Sequence, residues 1–377
     1  MAGEHRYCEE CGSSLSPGAR FCEECGSPVM ATGGTAPPSN QEPAHTPPSP
    51  ADRPIAVIPF AYTHGGFLSV LDCTLVVYPD RCVLAHVPTV WKTASDRARS
   101  AIERALEEEN QEGRLFWKIA AGASADAAGA SRRSEMLASI GVTEPPWEAY
   151  WTLDPGKVLA EDRRNRAVPR DTIVYVRGEC DGDTGIDLVM VRTPDDRITI
   201  NFELGTFFAA RDALFSLVAP ASGTPETVLG ILPAGSEPQV EGFGFQYVWH
   251  LVVTDRRIVY RMIEEEEADE MGSWLDACEK EAKGAGRDWR QGEEAGRQDA
   301  PWQRRASIPV SRLLERDVNF FIPLQTIGEV VIDVGGRRRG DQVRFSLPGS
   351  ELSLAFPDGT AEYARSVLGQ ALPGRVR

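Results

Sequence analysis

The sequence predicts an α+β protein, mainly β, in which one small domain of antiparallel strands closed by a helix is used twice behind a short metal-binding segment. Three observations carry this expectation. The first is an internal repeat: Leu159, Glu161, Asn165, Pro169, Thr172 and Ile173 recur 154 residues later as Leu313, Glu315, Asn319, Pro323, Thr326 and Ile327. The same offset carries Thr206, Ala210, Arg211 and Leu214 onto Thr360, Ala364, Arg365 and Leu368. Chance rarely keeps one register through so many mixed polar and apolar positions, so the repeat marks a duplicated unit. The second is a succession of short β-branched runs separated by turn residues, and the third is a doubled Cys-x-x-Cys.

Residues 7–26 read YCEECGSSLSPGARFCEECG. Two residues between Cys8 and Cys11, and between Cys22 and Cys25, let both sulfurs of each pair reach one ion from a tight turn, with Gly12 and Gly26 easing the backbone just after. Four thiolates suit one tetrahedral Zn2+, and because the protein supplies every ligand the ion is structural. A segment this short and this poor in apolar residues draws its folding energy from the metal. It resembles the zinc ribbons found at the N-termini of many bacterial and archaeal proteins, with Tyr7 and Phe21 each one residue before a knuckle. Glu4, Glu9, Glu10, Glu23 and Glu24 outnumber Arg6 and Arg20, and four thiolates on a divalent ion add two further negative charges. Such a surface repels phosphates, so the ribbon (residues 1–30) is expected to be structural or to face protein, and nucleic acid is an unfavourable partner.

Residues 31–52 hold six prolines and almost no large apolar side chain, the composition of a disordered linker. Two domains are expected beyond it, at 53–220 and 225–374. The first opens with a hairpin at 73–87, turning at Pro79-Asp80, and the second with one at 250–263, turning at Thr254-Asp255. Three further strands follow in each: Thr172–Arg177, Ile186–Arg192 and Arg197–Phe202, then Thr326–Val334, Gln342–Leu347 and Glu351–Phe356. An amphipathic helix closes each copy, beginning at Thr206 in the first and at Thr360 in the second, where Thr360 can cap the N-terminus. Between hairpin and later strands each copy carries a helical insertion, about 91–150 and about 264–306. Ala98, Ile102, Ala105 and Leu106 form a stripe in the first, and Trp274, Leu275 and Cys278 share a face in the second.

This layout resembles the pleckstrin-homology-like superfold in its bacterial PH and GRAM-like forms. The residues that carry the resemblance are Leu251-Val252-Val253-Thr254-Asp255-Arg256-Arg257-Ile258, then Ile322-Pro323-Leu324-Gln325-Thr326-Ile327, then the final helix. The first copy is more degenerate, with Tyr78-Pro79-Asp80-Arg81 in place of the Thr-Asp segment. The resemblance implies tandem barrels, each plugged by its C-terminal helix, and a binding or scaffolding role with lipid or peptide ligands in some members.

The net charge of −16 over 377 residues disfavours nucleic acid and anionic membranes as partners. No run approaches the roughly 20 apolar residues that span a bilayer, and no signal-like segment follows Met1, so a cytoplasmic location is expected. Cys73, Cys82, Cys180 and Cys278 are expected to be reduced thiols; for Cys73 and Cys82 two half-buried thiols are expected, the alternative being a pair facing each other across a hairpin. No nucleophile–base spacing, phosphate-cradling loop or His-Glu-x-x-His occurs, and His86 and His250 lie in strand-like runs. The function expected is therefore a non-enzymatic adaptor that binds a protein partner through the tandem domains, with the inserted helices as the contact surface, the zinc ribbon structural, and homo-oligomerisation left open. The alternative is a peripheral binder of anionic lipid headgroups through Arg337–Arg339, in a loop whose counterpart in the first copy, beside Asp181, is acidic.

Overall fold

The computed structural model describes residues 6–7, 14–15, 52–64, 70–109, 127–181, 186–219, 225–236, 248–286, 300–316, 318–335 and 340–377. The chain divides into two compact units, Met1–Pro47 and Pro48–Arg377. In the first, β1 (Arg6–Tyr7) and β2 (Ser14–Leu15) form an antiparallel pair, Arg6 opposite Leu15 and Tyr7 opposite Ser14. The Pro-rich stretch 31–51 lies outside the described residues.

The second unit is built on one sheet. Its strands are β3 (Ala56–His64), β4 (Val70–Val77), β5 (Arg81–His86), β6 (Arg166–Pro169), β7 (Tyr175–Asp181), β8 (Ile186–Arg192) and β9 (Arg197–Phe202). There follow β10 (Val228–Ser236), β11 (Val248–Thr254), β12 (Arg257–Met262), β13 (Phe320–Pro323), β14 (Glu329–Asp333), β15 (Asp341–Leu347) and β16 (Ser350–Phe356). Across the sheet they run β14-β15-β16-β10-β11-β12-β13-β7-β8-β9-β3-β4-β5-β6. The two halves of this order are the same arrangement twice, which gives the sequence repeat its structural meaning.

The expectation of two closed barrels is overturned. Closure would require β6 to pair with β7, and β13 with β14. Instead β13 of the second copy pairs with β7 of the first, at Phe321 opposite Val176, and the two copies merge into one open antiparallel sheet of 14 strands. Aromatic packing favours this merger. Phe320 stacks on Tyr260 at 4.4 Å and lies 5.9 Å from Tyr175 of the first copy, while Phe321 meets the edge of Phe215 at 5.3 Å. The buried Arg211 donates across the junction to the carbonyl of Arg316 at 2.8 Å. A separate contact between the copies brings the β15–β16 turn onto the β8–β9 turn, where Gly349 (φ +67°) is required because a Cβ there would meet the Pro194 carbonyl oxygen at 1.7 Å.

Helices cover both faces. They are α1 (Thr89–Glu109), α2 (Ala127–Ser139), α3 (Pro155–Glu161), α4 (Phe207–Val218), α5 (Glu265–Gly284), α6 (Val310–Leu313) and α7 (Ala361–Ala371). On one face Ile58, Leu75 and Val77 join Phe207, Ala210 and Leu214 of α4 in a core continuous with that of the second copy, which α7 covers through Ala364, Val367 and Leu368. Val57, Val76 and Tyr78 point the other way and pack on Ala98 and Ile102 of α1, Leu137 of α2, and Trp147, Tyr150 and Trp151 of the short helix 146–152. The first insertion thus builds a second core within the chain. In the second insertion Trp274 meets Trp302 edge-on at 5.0 Å, and Cys278 is buried.

Two opening strands escape the sequence reading because each contains proline. β3 breaks register between Ile58 and Ala61, around Pro59, and β10 between Leu232 and Gly235, around Pro233. A bulge is where a strand tolerates a residue that cannot donate to the ladder.

Several repeated polar residues prove to be structural ties. Asn319, 1 % exposed, accepts from the Met262 amide at 2.8 Å and donates to the Leu313 carbonyl at 2.5 Å. Asn165 likewise accepts from the His86 amide at 2.7 Å and donates to the Val158 carbonyl at 2.6 Å. Thr172 and Thr326 each bond the carbonyl three residues back, of Pro169 and Pro323. Thr360 does the same to Pro357 and makes no side-chain cap, contrary to the role its position suggested. Replacing Asn319 by Ala strands a buried donor and acceptor, and we expect a loss of about 1–3 kcal/mol in urea-unfolding stability. An exposed control such as Glu351→Ala should cost much less.

Candidate metal centre

The predicted metal ligands Cys8, Cys11, Cys22 and Cys25 lie outside the described residues. The strands that flank the first Cys-x-x-Cys in sequence, β1 and β2, pair with each other. Four cysteines as two Cys-x-x-Cys pairs are a donor set that fits zinc and leaves no ligand position to be filled from outside. Residues 7–29 match the zinc-ribbon domain family. No curated protein matches the chain. The segment is a zinc-ribbon domain; its family covers a small part of the chain and leaves the 14-stranded sheet unassigned.

Within the second unit the titratable side chains singled out from sequence are held in structural roles. His250 is 2 % exposed, its Nδ1 lies 3.3 Å from the Leu232 carbonyl, and its ring tilts against Trp302. Burial pushes its imidazole down to about 3, so the ring is neutral at physiological pH. His86 is also buried and shifted down, first by burial and then by the charge of Arg164. Cys73 and Cys82 are buried, and burial raises both thiols to about 12, the opposite of a reactive thiolate. They do not face each other: Cys73 sits opposite His86, and Cys82 opposite Val77. Among the described residues no group of three or more His, Cys, Asp or Glu is placed to hold a metal ion. No described helix is long and apolar enough to cross a membrane.

The acidic run at the start of α5 is largely exposed, at Glu264, Glu265, Glu266, Asp269 and Glu270, but three of its carboxylates are paired with arginines. Glu267 receives Arg261 at 2.7 Å and also Arg305, Glu270 pairs with Arg304 at 3.3 Å, and Glu264 with Arg316 at 2.6 Å. Glu264 and Glu267 further close a capping box at the helix N-terminus. Burial alone would raise the Glu267 carboxyl, but the hydrogen bonds and charges of Arg261 and Arg305 outweigh it and hold the group at about 2. These arginines come from β12, the helix at 301–307 and the loop before β13, so sequence proximity could not reveal the cluster. The loops 336–339 and 182–185, whose contrasting charge suggested an anion site at Arg337–Arg339, lie outside the described residues.

Two outcomes follow. Titration with zinc should show one ion per chain by elemental analysis, and Cys8→Ser with Cys22→Ser should abolish that uptake while leaving the urea transition of the sheet unchanged. The depressed His250 pKa means that the unfolded chain binds a proton between about pH 6.5 and 3 that the folded chain refuses. Its contribution to stability is complete above pH 6.5 and is lost as the pH falls toward 3. His250→Gln should therefore flatten the fall in urea midpoint between pH 7.5 and 5.

Proposed function

We propose that this protein is a non-enzymatic adaptor whose protein-binding element is the acidic zinc ribbon and whose 14-stranded sheet is the platform that carries it. The observation that supports this most is the ribbon itself. Its ligand set is complete within the chain, and five glutamates beside the thiolate-bound ion make a surface suited to a basic protein face. The fold is consistent with a platform: the inserted helices, the other candidate contact surface, bury their apolar stripes within the chain. Among the described residues the large apolar side chains more than two-fifths exposed are Ile55, Val70, Val90 and Val334.

The test is capture on the tagged full-length protein from native cell extract, with retained proteins and lipids both identified by mass spectrometry. A protein retained in stoichiometric amount by the unsubstituted chain should be lost with Cys8→Ser and Cys22→Ser, and should weaken when Glu9, Glu10, Glu23 and Glu24 become Gln. Equal retention by the cysteine variant would move the binding surface to the sheet. Recovery of anionic lipid without any stoichiometric protein would sink the adaptor reading.

A further inference from the structure

The two ends of the sheet are the two sides of a junction that the chain already makes once. Inside the molecule β7 accepts β13, with Val176 opposite Phe321. By the offset of 154, β14 is the counterpart of β7, with Val330 in the place of Val176, and β6 is the counterpart of β13, with Ala167 in the place of Phe321. These two strands terminate the sheet at opposite ends. A β14 edge therefore has the form of an acceptor, and a β6 edge the form of the strand it accepts.

The side chains that make the internal junction have complementary substitutes at the ends. The aromatic pair Tyr175–Phe320 becomes Glu329 and Arg166, an acid and a base. The pair Phe215–Phe321 becomes Gly369 and Ala167, two small residues in place of two large ones. Arg211, which crosses the junction to the Arg316 carbonyl, becomes Arg365, and its acceptor becomes the Asp162 carbonyl. The loop bearing that carbonyl keeps its conformation: the Asn165 amide bonds the Asp162 carbonyl at 2.9 Å, as the Asn319 amide bonds that of Arg316 at 3.1 Å. Arg365 is at present turned to Glu362 and the Ile332 carbonyl, and Arg166 to Asp196 at 2.8 Å in an exposed pair that docking would exchange for Glu329.

The β14 edge is covered by the chain's own residues 375–377. After α7, Gly374 at φ +75° turns the backbone back along the edge. The Val330 amide then donates to the Arg375 carbonyl at 2.8 Å, the Arg377 amide to the Val330 carbonyl at 2.9 Å, and the Ile332 amide to the Arg377 carbonyl at 2.9 Å. Arg377, 82 % exposed, occupies Glu329 at 2.6 Å. With the Arg375 guanidinium donating to the Ile327 and Leu324 carbonyls at 2.7 and 3.3 Å and Val376 packed on the core, these three backbone bonds and one exposed ion pair make a three-residue cover that a longer antiparallel strand can replace.

We propose that a second copy of this chain docks head to tail, its β6 replacing residues 375–377 on β14 in the register of the internal junction, with Ala167 opposite Val330 and Arg166 beside Glu329. Because donor and acceptor edges differ, the contact is heterologous and extends into an open series, each copy adding another ribbon. This goes beyond the adaptor reading and does not depend on it.

Sedimentation velocity of the full chain over a concentration series tests the proposal. Arg377→Pro removes both an edge hydrogen bond and the Glu329 ion pair, and should tighten self-association by about 10-fold or more, giving dimers, trimers and larger species. Arg377→Glu, which keeps every backbone donor, should act in the same direction and serves if the proline variant misfolds by circular dichroism. Adding Arg166→Glu to Arg377→Pro should return the chain to monomer, and Glu329→Arg on top of both should restore the series. Folded Arg377 variants that associate no more tightly than the unsubstituted chain would overturn the proposal. So would a series indifferent to Arg166→Glu, or a closed dimer that grows no further.

Discussion

The structure depends on the hydrogen-bonded contact between β13 and β7. Each copy contributes seven strands in one order, and a seven-stranded sheet has two edges whose amides and carbonyls need partners. Closing each copy on itself would satisfy its own edges. The chain instead satisfies one edge of each copy with the other copy, and surrounds the seam with Tyr175, Tyr260, Phe320, Phe321 and Phe215. Arg177 lies over the rings of both Trp249 and Phe320, at 5.5 and 5.4 Å, so a cation from the first copy rests on the aromatic core of the second. The rest of the architecture follows from this choice. Both opening strands bend at a proline-bearing bulge, both closing helices lie against one continuous core, and the two outer edges remain as the ends of the molecule.

Much of the fold was legible in the sequence. The repeat located both copies, and the strands at 186–192, 197–202, 341–347 and 350–356 fall within a residue of their expected bounds. Alternation was strong there because one face of each strand is buried. Pro59 and Pro233 hid β3 and β10, since proline inside an apolar run argues against a strand unless the bulge is known. The merger of the two copies was not legible at all. Val176 and Phe321 are unremarkable strand residues, and only their pairing separates a single sheet from two closed ones. The zinc cysteines were legible for the opposite reason, because metal-ligand spacing is local.

The repeated polar residues show why conspicuous identity need not signal a binding site. Asn165 and Asn319, Thr172 and Thr326, and Thr206 and Thr360 each fasten a local carbonyl or amide, and the two members of a pair do so in the same way. Where the copies differ, the difference falls at the edges and insertions. Among the described residues the arginine–glutamate cluster under α5 belongs to the second copy, and the separate core under α1 to the first. Function is therefore sought at the zinc ribbon and at the ends of the sheet, where the chain departs from its own repeat.

The two copies share one hydrogen-bonded sheet. Hydrogen–deuterium exchange of the full-length protein through a urea series, followed by peptide mass spectrometry, tests it most directly. A shared sheet predicts that peptides spanning 175–192 and 320–347 lose protection together, at one urea concentration and with the transition of the whole unit. Two separate transitions, with β7 exposed while β13 stays protected or the reverse, would contradict it.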